Sequence, residues 1–150
     1  MSEPSPAGTG PVVLDTNVIS ELMRPEPDAG VVAWVGRLSP AAVCTTVVTL
    51  AEIRFGIARL PSGRRRALLD AAADDVFVTF ADRVLPFDAV AAGQYADVVV
   101  ERERAGAPIS GFDAQIAAIC RTHRAALATR NIGDFDHLGL NLLNPWTTRL

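Results

Sequence analysis

The sequence predicts an α/β fold with a mainly parallel sheet covered by helices on both faces. Three observations predict it. Short β-prone apolar runs alternate with longer stretches of helical periodicity along nearly the whole chain. The first run, Val12-Val13-Leu14, is apolar at every position, as a strand buried on both faces requires. That run ends in Asp15-Thr16-Asn17, polar residues at a strand's carboxyl end, where open parallel sheets place their ligand sites.

The chain has 150 residues, enough for one domain with a sizeable core. Residues 1–10 are rich in Ser, Pro and Gly and read as a disordered leader, leaving 11–150 as a single domain. No basic-then-apolar signal peptide is visible, and no apolar run is long enough for a bilayer, so a cytoplasmic location without membrane contact is expected. Cys44 and Cys120 sit in apolar surroundings without metal spacing and read as buried free thiols in a reducing compartment. With 14 basic and 17 acidic side chains the net charge is −3, and every Lys-or-Arg position is Arg. That balance argues against a protein that coats nucleic acid through excess cations. It leaves room for an enzyme that grips nucleic acid through metal ions held by carboxylates.

After Asp15 a helix runs to about Met23, and Arg24-Pro25-Glu26-Pro27 stops it. Asp15, Thr16 and Asn17 are all good helix caps, so Asp15 reads as either a cap or a functional acid. Asp28 opens a second helix that ends at Ser39-Pro40. Residues 42–48 are β-rich and form the second strand, which flows into a helix over about 49–60. Val48, Glu52, Phe55 and Arg59 share a face of that helix, so Glu52 is expected among apolar neighbours, pointing to the sheet end that carries Asp15. The alternative is a surface Glu favoured by the helix start. Pro61-Ser62-Gly63 breaks this helix, and Arg64-Arg65-Arg66 starts another through about Ala73. The triplet reads as a solvated face rather than a phosphate patch.

Residues 76–80 are expected to form a short strand and 84–87 a second extended piece. Asp88 caps a helix through about Ala105, with Val90, Tyr95, Val98 and Val99 available to pack. Its end, Glu101-Arg102-Glu103-Arg104, reads as alternating solvated charge. Ser110 opens a helix through about His123, with Phe112, Ile116, Ile119 and Cys120 as its buried stripe. Ser110 and Asp113 have capping-box spacing, so Asp113 is a cap partner or an acid projecting from a helix start. His123 suits the negative pole of that helix and is not read as a ligand. A strand over 125–129 ends in Thr129-Arg130-Asn131-Ile132-Gly133-Asp134-Phe135, either an Asx-type turn or a second set of ligands. A last strand, 140–143, ends at Asn144-Pro145-Trp146.

In a parallel sheet the carboxyl ends of all strands share one edge. Asp15, Glu52 and the pair Asn131 and Asp134 fall there by topology; Asp113 is the placement that topology leaves open. Carboxylates brought within a few ångströms of one another cannot all stay ionised without a cation. Oxygen-only ligands favour Mg²⁺ or Mn²⁺, the ions that serve in-line attack of water on a phosphodiester.

Taken in order, Val-Leu-Asp15-Thr-Asn, Thr46 with Ala-Glu52, Asp113-Ala-Gln-Ile-Ala-Ala and Leu-Ala-Thr129-Arg-Asn131-Ile-Gly-Asp134-Phe resemble the PIN domain, most of all its VapC and FitB toxins. Leu85-Pro86-Phe87-Asp88 and Asn144-Pro145-Trp146 are similar to that subfamily too, and the likeness runs from about Val12 to Trp146. It implies a three-layer α/β/α sandwich with Asp113 brought to the acidic edge. It implies a metal-dependent endoribonuclease acting on RNA, a homodimer, and a VapB-like antitoxin partner. By this likeness Asp15, Glu52 and Asp113 are metal ligands, and Thr16, Asn17, Thr46 and Thr129 orient them by hydrogen bonds. One departure stands out: some members carry Asp where this chain has Asn131. Asn131 is then a neutral ligand, and Asp134 is expected to supply the charge.

Two other classes compete. A phosphatase with Asp15 as nucleophile would need a second Asp two residues on, where this chain has Asn17. A catalytically weak PIN scaffold would act through an antitoxin–DNA complex.

Overall fold

The computed structural model describes residues 10–148; residues 1–9 of the expected leader lie outside them. In chain order the elements are β1 (Val12–Leu14), α1 (Thr16–Leu22), α2 (Ala29–Gly36), β2 (Val43–Thr46), α3 (Val47–Ala58), α4 (Arg64–Thr79), β3 (Val84–Leu85), α5 (Ala89–Arg104), α6 (Gly111–His123), β4 (Ala126–Ala128) and β5 (Leu142–Leu143). The strands form one sheet in the order β3-β2-β1-β4-β5, and every pairing is parallel. The expected α/β architecture is therefore present, with no antiparallel member among the described strands.

Alternation along β1 and β4 divides the core in two. Val12, Leu14, Ala126 and Ala128 face a cluster with Val18, Trp34, Ile53 and Phe77, from α1 to α4. Val13 and Leu127 face the opposite way, onto Val98, Ile116, Ile119 and Cys120 of α5 and α6. Helices thus bury both faces of the sheet, which is why its central strands carry no polar side chain before their ends. Among the described residues no helix is long and apolar enough to cross a membrane. Cys44 and Cys120 are buried free thiols, as expected.

Several local expectations need correction. Residues 76–80 are not a strand; they complete and cap α4. Ala73, Phe77 and Phe80 are buried at helical spacing while Val78 is 73% exposed, so the 3.6-residue period overrides the β-branched composition. Phe55, Val90 and Phe112, expected inside, are exposed. Helix α3 starts at Val47 because the Thr46 hydroxyl accepts from Thr49 N at 3.1 Å, ending the strand two residues early. Arg102, read as solvated, is 5% exposed. Its guanidinium donates to the carbonyls of Ala107, Asp134 and Asp136 at 2.5, 2.8 and 3.0 Å.

Candidate active site at the carboxyl edge of the sheet

Asp15 is the residue after β1, at the centre of the sheet. It is both things the sequence left open. One oxygen accepts from Thr16 N at 2.8 Å, so it caps α1. The other accepts from the Thr129 hydroxyl at 2.8 Å, and Asn17 Nδ2 lies 3.4 Å away. The carboxylate is 4% exposed. Burial raises its pKa to about 6; the Thr129 and Thr16 bonds lower it in part, while Asp113 and Glu52 push it up.

Glu52 comes from α3, which starts where β2 ends. The Thr16 hydroxyl donates to Glu52 Oε1 at 2.8 Å and lies 3.0 Å from the Thr49 hydroxyl. Burial raises the Glu52 carboxyl, the Thr16 bond lowers it, and Asp113 raises it. Its expected apolar neighbour Phe55 instead points to solvent with Arg59 stacked on its ring.

Asp113 lies in the first turn of α6, where Ser110 caps the helix by accepting from Asp113 N at 3.2 Å. Topology does fix its place. A short link joins α6 to β4, so α6 runs back along the sheet and starts at the carboxyl edge. Its electrostatic action on both Asp15 and Glu52 reflects that placement. Its own pKa is raised by burial and by Asp134, and lowered by Ser110 and by Arg102.

The chain after β4 forms a 3₁₀ turn, Ile132–Phe135. Asn131 and Asp134 are both exposed on it. Asn131 N donates to the Thr129 hydroxyl at 3.1 Å, and the Asn131 side chain makes no capping bond. Asp134 shares the edge through its repulsion of Asp113, and Arg102 holds its carbonyl. The structure therefore brings Asp15, Glu52, Asp113 and Asp134 to one edge, with Thr16, Asn17 and Thr129 bonded to the acids. The Thr46 hydroxyl instead caps α3, and among the described residues no hydrogen bond joins it to an acid. Thr49 and Arg102 were missed: Thr49 reads as an ordinary helix residue, and Arg102 sits in an alternating charge run.

The donor set is all oxygen and its members raise one another's pKa, the signature of a site that gains from a divalent cation. Among the described residues no three acids close round a single point. Oxygen ligands of this kind are those that Mg²⁺ and Mn²⁺ take, and the acids as placed would have to draw closer for three of them to share one ion. From Thr16 and Glu52 a groove of about 890 Å³ runs between α1, α3 and α4 to Arg64 and Arg65, lined chiefly by apolar side chains. Asn17 donates to Asp15, which removes the acid–base partner that a phosphatase would need there.

Residues 12–139 match the model of the PIN domain family. The chain is 40% identical to VapC ribonuclease Y4jK of Sinorhizobium fredii over 136 residues, 90% of this chain and 97% of that protein. It is 38% identical to Toxin FitB of Neisseria gonorrhoeae, over 90% of this chain and 98% of that one. Its fold is similar to a chain in the structure of FitAB bound to an IR36 DNA fragment, with TM-score 0.84 and 36% identity, covering 93% of this chain and 98% of that one.

Proposed function

The chain belongs to the PIN-domain family, and from that premise we propose that it is a Mg²⁺- or Mn²⁺-dependent endoribonuclease, the toxin of a VapBC-like toxin–antitoxin pair. The observation that carries the reading is the buried Asp15 carboxylate, raised toward neutrality and pushed further by Asp113 and Glu52. A ribonuclease relative and a toxin relative at about 40% identity support it.

In this reading Asp15, Glu52 and Asp113 hold the cation, with Asp134 adding charge and Asn131 a neutral oxygen. When bound, the cation offsets the carboxylate charge, polarises the attacked phosphodiester and makes a water a better nucleophile. The chain's own residues prepare the place. Thr129 and Thr16 N fix both oxygens of Asp15, and Thr16 fixes Glu52, so the acids lose little freedom when RNA arrives. Because burial favours the protonated acids in the metal-free site, protons compete with the cation, and the Mg²⁺ needed for cleavage rises as pH falls. A VapB-like antitoxin silences the toxin by covering this edge, with an Arg fork set against the carboxylates. The protein works as a homodimer in the cytoplasm.

Cleavage of RNA by the purified protein with Mg²⁺, and its loss with chelator, is the test. Asp15→Asn, Glu52→Gln and Asp113→Asn each abolish it, and a double variant is little worse than a single one. Normal cleavage by Glu52→Gln overturns the reading. One second reading has an observation of its own: the structural likeness to FitAB on DNA favours a scaffold acting through an antitoxin–DNA complex. No cleavage of any RNA, with DNA binding by the antitoxin complex intact, selects it.

A further inference from the structure

An RNA chain approaching four carboxylates is repelled, and the net charge of −3 gives it no general attraction. A cation beside the acidic edge, not consumed by an internal carboxylate, is needed. Arg24, Arg54, Arg83 and Arg121 pair with Glu21, Asp74, Asp82 and Glu101, and Arg102 is buried on carbonyls. Arg64 and Arg65 line the groove that starts at Glu52, on the other side of Asp15 from Arg130, which differs in being tied to the acids through its main chain. Arg130 follows Thr129 directly, it is exposed, and its guanidinium lies over the Trp146 ring, 4.9 Å from the centroid. No described carboxylate takes that guanidinium.

Its main chain is keyed to the acids. Arg130 N donates to Asn17 Oδ1 at 3.2 Å, and the amide of the same Asn17 reaches Asp15. The platform is fixed as well. Trp146 N donates to Asn144 Oδ1 at 2.9 Å, Pro145 is buried, and half-buried Trp146 packs against the core cluster of β1 and β4. Stacking on an aromatic face holds a guanidinium while leaving its in-plane N–H donors free, the geometry that matches a phosphate. Arg59 on Phe55, at the end of α3, and Arg83 on Phe80, beside Asp82, share the stacking but not the main-chain tie to Asn17.

We propose that Arg130, held by Trp146, binds a backbone phosphate of single-stranded RNA on the β4–β5 side of Asp15, the side opposite Glu52. The inference rests on the ribonuclease reading. The phosphate it holds flanks the one attacked, so Arg130 serves binding rather than the chemical step, and the Trp146 edge lies within reach of a neighbouring base.

The test measures binding of a fluorescent mixed-sequence 20-nucleotide RNA in chelator, together with kcat and KM for its cleavage in Mn²⁺. Arg130→Gln raises Kd and KM about ten-fold and leaves kcat within about two-fold. The slope of log Kd against log salt becomes shallower by roughly 0.7, one phosphate contact on a single strand. Arg130→Lys, which keeps the charge and loses the fork, and Trp146→Leu, which removes the platform, both fall between. Unchanged Kd and salt slope in Arg130→Gln overturn the inference and leave the ribonuclease reading standing. A wild type that binds RNA through Arg130 but cleaves none overturns that reading and leaves this site standing. A lower kcat at unchanged KM, or no RNA binding by the wild type, overturns the inference.

Discussion

The hydroxyl of Thr16 donates to Glu52 Oε1 at 2.8 Å, joining the first residue of α1 to the middle of α3. The bond favours the charged form of Glu52 and ties it to the residue that follows Asp15. Thr46, at the end of the neighbouring strand β2, does a different job in capping α3.

Thr16→Val therefore lowers RNA cleavage by about ten-fold or more, the usual loss when a hydrogen bond to a ligand side chain is removed. The melting temperature changes little. Thr46→Val shows the opposite pattern, a loss of roughly 1 kcal/mol in stability with cleavage kept. Initial rates and thermal melts on the two variants separate the roles; equal effects on cleavage contradict the assignment.

Stability of the metal-free protein depends on pH through Asp15. Its folded pKa is about 6 against an ordinary value of 3.8, so the folded state holds the proton more tightly than the unfolded one. The group's contribution to stability falls as pH rises through that window, and the full penalty, roughly 3 kcal/mol, is present above it. In urea titrations with chelator, Asp15→Asn is more stable than wild type at about pH 7, and the gain shrinks toward about pH 4. A gain independent of pH sinks the explanation.

Repulsion among the acids makes a bound cation stabilising. An ion that binds only the folded state adds about 2.7 kcal/mol at roughly a hundred times its Kd. For a domain of this size that is a rise of several degrees in melting temperature with saturating Mn²⁺. Asp113→Asn melts higher without metal and responds less to it. Identical curves with and without Mn²⁺ count against the site.

Asp134 and Asn131 offer a cleaner choice. If Asp134 contributes charge, Asp134→Asn raises the Mg²⁺ needed for half-maximal cleavage and leaves metal-free melting equal or higher. Asn131→Asp then rescues it in part, by returning a charge to the same turn. A silent Asp134→Asn restricts the acids to three, since a merely structural Asp here is replaced by Asn at little cost.

Much of this was legible from the residues. The all-apolar β1 run and its polar end announced a parallel sheet and its functional edge, because both follow from local composition. Asp113 reads as an acid and not as an edge residue, although the short link expected between its helix and the next strand already sends the start of that helix to the carboxyl edge. The end of α4 misled because Val76, Phe77 and Val78 favour strands locally, while burial of Phe77 and Phe80 on the core decides for helix. Arg102 was illegible because its partners are main-chain carbonyls, of Ala107 nearby and of Asp134 and Asp136 brought in from the turn after β4, and no side-chain pattern encodes them.

The bond between Asp15 and Thr129 spans 114 positions of sequence, and β4 pairs directly with β1. A polypeptide leaving the ribosome has β1 early and must wait for β4 before the centre of its sheet can close. A chain interrupted before residue 126 lacks the strand that flanks Asp15 and the hydroxyl that orders it. The order of synthesis thus acts as a timer: the acidic edge assembles only when most of the chain has been made, and incomplete products of translation carry no finished site.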